Sequence, residues 1–197
     1  MIRRTLALFI ASASLVWASP VFAADRYELD PAHSTIGFSI KHLLISRVQG
    51  RFTDVAGVIL YDESDITKSS VDVAIKTGSI NTQVEKRDAH LKSPDFFDAE
   101  KFPMITFKSS RVEKTGDGYL CVGTLTMHGV SKELSIPFEI TGKVKDPQGN
   151  TRIGVDAELS LNRQDYGISW NKAMEGGGLL VGNDVKITLS VEAVKKP

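Results

Sequence analysis

Residues able to carry chemistry are thinly spread along this chain. The four histidines, His33, His42, His90 and His128, lie far apart, with no HxH or HExxH spacing to put two imidazoles on one ion. A metal would need them to converge from separate elements, so no metal ligand is assigned. Asp30-Pro-Ala-His33-Ser34 sets a carboxylate, an imidazole and a hydroxyl within five residues. A catalytic triad requires those groups to meet in space through defined hydrogen bonds, and closeness in sequence does not supply that. Cys121 is the only cysteine, which excludes an internal disulfide. It falls in the alternating run Tyr119 to Leu125 and reads as a small buried hydrophobe. The chain has no nucleophile elbow, phosphate loop or dinucleotide fingerprint, and Gly176-Gly-Gly178 lacks the Lys and helix that would follow in one. No catalytic residue and no required cofactor is assigned.

Binding chemistry is better represented. His42 ends the apolar face of a strand, where it either meets a backbone partner or faces a cavity mouth. Arg87 and Asp88 are neighbours on a predicted helix and point apart. Arg87 shares a face with Leu91, which would set it above an apolar interior. Arg51, Arg163 and Asp165 border strands beside irregular stretches. An arginine on a cavity rim would pair bidentately with a phosphate or an electron-rich oxygen; a surface ion pair is the competing reading. Tyr166 and Trp170 lie in an irregular loop, suited to covering apolar surface or a ligand.

The elements that must position these groups are mostly strands. Ile36, Phe38, Ile40 and His42 alternate with Thr35, Gly37, Ser39 and Lys41 in a half-buried first strand. Leu43 to Gly50 breaks the alternation and reads as a loop or short helical turn. Arg51 to Tyr61 is a second strand, and Val71, Val73 and Ile75 mark a third that extends toward Ile80. Further strands are expected over Met104 to Val112, Tyr119 to Met127, Leu134 to Ile140, Ile153 to Leu161 and Val185 to Val191. Turn chemistry separates them at Thr115-Gly-Asp-Gly118, His128-Gly129 and Asp146-Pro-Gln-Gly-Asn150. One segment, Thr82 to Phe107, departs from period two. Thr82-Gln-Val-Glu85 reads as a capping box opening a helix to about Leu91, and Ser93-Pro94 restarts a second turn. Phe96, Phe97 and Phe102 follow among charged residues, as a plug in one end of the fold or a lid over a cavity. Eight strands with short turns predict an all-β fold, an eight-stranded antiparallel β-barrel with a short helical insertion between strands 3 and 4.

Composition is that of an ordinary globular domain, with 42% apolar and 24% charged residues. Residues 1–23 read as a cleaved signal peptide: Arg3-Arg4, an apolar run from Leu6 to Trp17 too short to span a bilayer, and small residues before a cleavage point after Ala23. Removing those arginines leaves 22 basic against 24 acidic side chains, a formal charge of −2. Near-neutral charge disfavours a nucleic-acid partner. The expected mature chain, 24–197, is one domain without a membrane span, exported to a bacterial periplasm.

In order along the chain, Asp30…His33-Ser-Thr-Ile-Gly-Phe38, Gly50-Arg51-Phe52, Gly57, Arg87-Asp-Ala-His-Leu91, the Phe96-to-Phe107 run, Gly123-Thr-Leu-Thr-Met-His-Gly-Val130 and Asn162-Arg-Gln-Asp-Tyr-Gly167 resemble the YceI-like family of bacterial lipid-binding proteins. The resemblance spans nearly all of 24–197. It implies a lipocalin-like barrel whose apolar pore holds a polyisoprenoid, an isoprenoid quinone or a similar long-chain lipid as ligand, and a homodimer as in some members. Within the matching regions, Ile36, Phe38, Ile40, Phe52, Leu91, Phe97, Phe102 and Phe107 are the expected pore residues. His42, Arg51, Arg87, Asp88, Arg163 and Trp170 are the expected mouth. A carrier or storage role needs no catalytic group. The alternatives are an enzyme acting on such a lipid, which needs an acid, base or nucleophile inside the cavity, and a structural barrel filled by its own phenylalanines, which needs no cavity.

Overall fold

In the computed structural model, residues 24–197 are described, except Asp117 and Gly176; the expected leader, 1–23, lies outside the described residues. The strands are β1 (Asp25–Leu29), β2 (Thr35–His42), β3 (Ser46–Phe52), β4 (Val55–Tyr61), β5 (Ser70–Lys76), β6 (Ile80–Asn81), β7 (Met104–Lys114), β8 (Tyr119–Met127), β9 (Val130–Lys145), β10 (Thr151–Asn162) and β11 (Val181–Lys195). A single α-helix among the described residues, α1 (Glu85–Lys92), lies between β6 and β7. All pairings are antiparallel, and the order β1-β4-β5-β7-β8-β9-β10-β11 returns to β1. The sheet is a closed eight-stranded barrel.

Eleven segments make eight staves because three staves are broken. β1 and β2 are halves of one stave, interrupted by Asp30 to Ser34, where Pro31 cannot donate to the ladder. The Ser34 hydroxyl bridges that gap, donating to the Glu192 carbonyl and accepting from the Glu192 amide, each at 3.1 Å. β3 with β4 and β5 with β6 are broken at the same height. There the Thr53 amide donates to Ser79 and the Lys76 amide to Asp54. β11 therefore pairs with β10 over most of its length, with β2 up to Ser190 and with β1 from Ala193 to Lys195.

The expected loop at 43–50 is instead a tight turn at 43–45 followed by most of β3. Leu43 and Leu44 take φ of 54° and 64°, and the Ile45 amide donates to the His42 carbonyl. The expected capping box is also corrected. The N-cap is Val84, with no side-chain bond, because Gln83 turns to φ 64° and carries Thr82 out of capping position. β9, β10 and β11 run longer than their alternating cores suggest, since their ends reach past the neighbouring turns.

At the helical end of the barrel, Phe96, Ile105, Met127, Tyr166 and Ile168 form a buried cluster. Ile66, Phe107, Val112 and Cys121 form a second toward the opposite end, and Tyr27, Ile153 and Ala193 a third.

Candidate functional site

Alternation along the long strands sends one side chain in two into the barrel. On β10, Ile153, Val155, Ala157, Leu159 and Leu161 all face inward, and on β9 so do Leu134, Ile136, Phe138 and Ile140. β7 would break this pattern without a bulge. Its register slips between Ser109 and Arg111, so Ile105 and Phe107 face inward above the slip and Val112 below it. In strict alternation Arg111 would occupy the interior. Gly123 sits opposite the bulge, where a Cβ would come within 2.7 Å of the Phe107 ring.

These faces enclose a cavity of about 230 Å³. Its wall follows β10 from Ile153 to Leu161, about 26 Å of strand at about 3.3 Å per residue. Leu134, Ile136, Phe138, Leu159, Ile187 and Leu189 remain only half-buried although they point away from bulk solvent. Each wall contact that a close-packed core would supply is missing there. Tyr61, Ser69 and Ser70 are the lining residues that carry a hydroxyl, all at the end away from α1, and they turn only apolar surface to the cavity; the Ser69 hydroxyl accepts from the Asp62 amide at 3.0 Å. Burial, then the nearby Glu63 carboxylate, pushes the Tyr61 phenol up from its ordinary value. No carboxylate, imidazole or amine lines the cavity among the described residues. The Cys121 thiol reaches the wall, but burial raises it to about 11, which keeps it protonated and unreactive at neutral pH.

Of the expected pore residues, Ile36, Phe52 and Phe107 line this cavity and the others do not. Phe38 and Ile40 share the face of Ile36 but stand closer to the helical end. The Phe38 ring lies over Gly50, where a Cβ would meet it at 2.4 Å, and it continues through Phe52 to Phe97 as a chain of rings 6.0 and 5.9 Å apart. Leu91 and Phe97 pack on the buried cluster beneath α1. Phe102 covers the turn outside, 4.7 Å from His128 and against Gly129. These side chains build the cap rather than the wall.

None of the expected mouth residues lines the cavity. Arg87 donates through Nε to the Thr82 hydroxyl at 2.7 Å and through Nη2 to the Thr82 carbonyl at 2.9 Å. Asp88 accepts from the Thr82 amide and hydroxyl at 2.8 and 2.5 Å. Both are spent on holding α1 to β6. Arg163 is buried, and it donates to the carbonyls of Gly182, Ile168 and Trp170 at 2.9, 2.7 and 2.9 Å. Burial lowers its pKa, and its work is to fasten the loop between β10 and β11. Trp170 stands 5.0 Å from both His90 and Phe96, which seals that loop onto α1. His42 pairs with Ser46 at the end of β2, and Arg51 is exposed on the outer face opposite Asn81.

Sequence reasoning missed Tyr61, Ser69 and Ser70. Tyr61 precedes, and Ser69 and Ser70 end, the polar stretch DESDITKSS. Its one apolar residue, Ile66, was the available signal: it is buried in a short 3₁₀ turn that closes over the cavity end. Asp30, His33 and Glu192 offer three ligand atoms within 4.8 Å of one another. Arg152 already supplies the cation, with Nη1 2.8 Å from Asp30 and 2.5 Å from Glu192 and Nε 2.7 Å from Asp146.

A family model described as the YceI-like domain matches residues 27–193, nearly the whole barrel. The chain belongs to that family. Among YceI-like relatives, a Serratia proteamaculans protein named UPF0312 is 36% identical over 197 residues, covering 99% of both chains. The crystal structure of a Campylobacter jejuni YceI protein is 36% identical with a TM-score of 0.68, over 86% of this chain and 97% of that one. A Saccharophagus degradans polyisoprenoid binding domain shares the fold at 15% identity and a TM-score of 0.62, over 86% of this chain and 98% of that one.

Proposed function

We propose that this protein binds a polyisoprenoid or a comparably long apolar lipid inside the barrel and acts as its carrier or store in the periplasm. The cavity carries the reading. It is continuous, apolar and incompletely filled by the chain's own side chains, which the self-filled barrel does not require. The polyisoprenoid-binding description of the Saccharophagus degradans neighbour supports the same ligand class. Such a tail has no polar handle, so dispersion and the hydrophobic effect must hold it. Each buried methylene contributes about 0.8 kcal/mol, so ten of them give about 8 kcal/mol. That corresponds to a micromolar Kd before the cost of ordering the chain.

The lining presents neither a fixed charge nor an exposed polar atom to the cavity. This favours an uncharged apolar tail over a phosphate inside the barrel. For the enzyme alternative, no carboxylate, imidazole or amine stands on the wall among the described residues.

The test is native mass spectrometry of protein purified from its own cell envelope, with organic extraction of the bound fraction. A stoichiometric isoprenoid is the expected result. Protein that arrives empty and takes up neither isoprenoid alcohols nor quinones would overturn the proposal.

A further inference from the structure

The turn between β2 and β3 breaks two local rules at once. A turn with positive φ at both central residues is the hairpin geometry that favours Asn-Gly, because a Cβ is crowded there. Here those positions hold Leu43 and Leu44, at φ 54° and 64°. The next residue, Ile45, is 86% exposed, and Leu44 is 64% exposed. Just below, Lys41 and Arg47 stand directly opposite each other as cross-strand partners on the outer face, a like-charge pair that disfavours the hairpin. Arg47 turns its guanidinium to the Ser39 hydroxyl across the hairpin at 2.6 Å, so the Leu-Leu turn is the choice that does not help the barrel fold.

The tip does not stand alone. The Leu43 amide donates to the Leu180 carbonyl, and the Leu44 side chain reaches the 174–178 turn, where a Cβ on Gly178 would meet both Leu44 and Met174. Leu179, on the same loop, is also exposed. The result is an apolar platform at the helical end, rimmed by Lys41, Arg47 and Lys172, with Glu175 as the carboxylate of that loop. The loop continues back to Trp170 and Ile168, which close the barrel under α1.

We propose that this platform docks the protein on an anionic lipid bilayer. Apolar side chains in front of a basic rim fit the boundary between acyl chains and anionic head groups. A second copy fits less well: a two-fold contact through the same patch would bring Lys41 and Arg47 against their own images. The proposal rests on the carrier reading for its purpose, since a ligand nearly insoluble in water has to be collected from a membrane. Its physical test does not depend on that reading.

The experiment is flotation of the full chain with empty vesicles of phosphatidylcholine containing phosphatidylglycerol, beside vesicles of phosphatidylcholine alone. Wild type is expected to float with the anionic vesicles. Leu43→Asn combined with Leu44→Gly restores the favoured turn, so it should raise the melting temperature by a few degrees while weakening vesicle binding at least tenfold, as roughly two lost apolar side chains require. Ile45→Asp, at an exposed position with ordinary backbone, is the second variant and should weaken binding by about as much. Lys41→Glu with Arg47→Glu should lose more than about tenfold on anionic vesicles only. A wild type that floats with neither vesicle, or turn variants that bind as well as wild type, would overturn the proposal. So would a wild-type dimer that the turn variants dissociate without any vesicle binding. Uptake of farnesol in vesicle-free solution separates the two readings: uptake without flotation removes the docking surface alone, and flotation without uptake removes the carrier alone.

Discussion

Arg152 shows how much one side chain organises. It draws Asp30, Asp146 and Glu192 from three separate parts of the chain onto one guanidinium. Asp30 is held at about 2 by hydrogen bonds from His33 and then Arg152, and Asp146 at about 2 by Arg152 and then Asn150, against an ordinary 3.8 for each. Both are depressed in the folded state, so their stabilisation is complete above about pH 4 and is lost as pH falls toward 2. The melting temperature should therefore drop through that window. Arg152→Leu should lower it at neutral pH and flatten the acid slope. An unchanged slope in the variant would place the acid transition on other carboxylates. The Asp-His-Ser cluster, whose residue types suggest catalysis, thus serves to splice β1 to β2.

At the scale of elements, the cap is held by polar anchors rather than by helix propensity. Arg163 grips two carbonyls of the β10–β11 loop and the Gly182 carbonyl of β11 with one planar fork, a geometry that lysine cannot reproduce. Arg163→Lys should leave those carbonyls short of donors and cost about 3 kcal/mol. Hydrogen exchange should quicken across 168–182 and stay slow in β7 to β9; uniform acceleration would show that Arg163 supports the whole barrel instead. The strands were legible because period two survives in Leu134 to Ile140 and Ile153 to Leu161. The helix start was not. Thr82 and Glu85 have the spacing of a capping box, and nothing local reveals that the Thr82 hydroxyl is taken by Asp88 and Arg87. The site was legible only in part for a similar reason. Ile36, Phe38 and Ile40 share one face, but which of them reaches the cavity depends on how far α1 and Phe97 cover that end.

For the whole molecule, the cavity is the feature that decides function. Ala157 is the smallest side chain in its wall, at mid-height on β10. Ala157→Phe would fill space now empty, so isoprenoid uptake should fall by at least about tenfold while the melting temperature holds or rises. Undiminished uptake by the folded variant would mean that the ligand does not occupy the middle of the barrel.

The strand β11 touches β10, β2 and β1, and its pairing of Tyr27 with Lys195 joins the two ends of the domain. That seam has a consequence in time. No earlier portion of the chain can close the ring, because the last stave is the one that fits between the first and the tenth segments. Contacts so distant in sequence form slowly. Until β11 docks, the sheet has two free edges, and the greasy interior that suits a lipid is sealed only when that strand is in place.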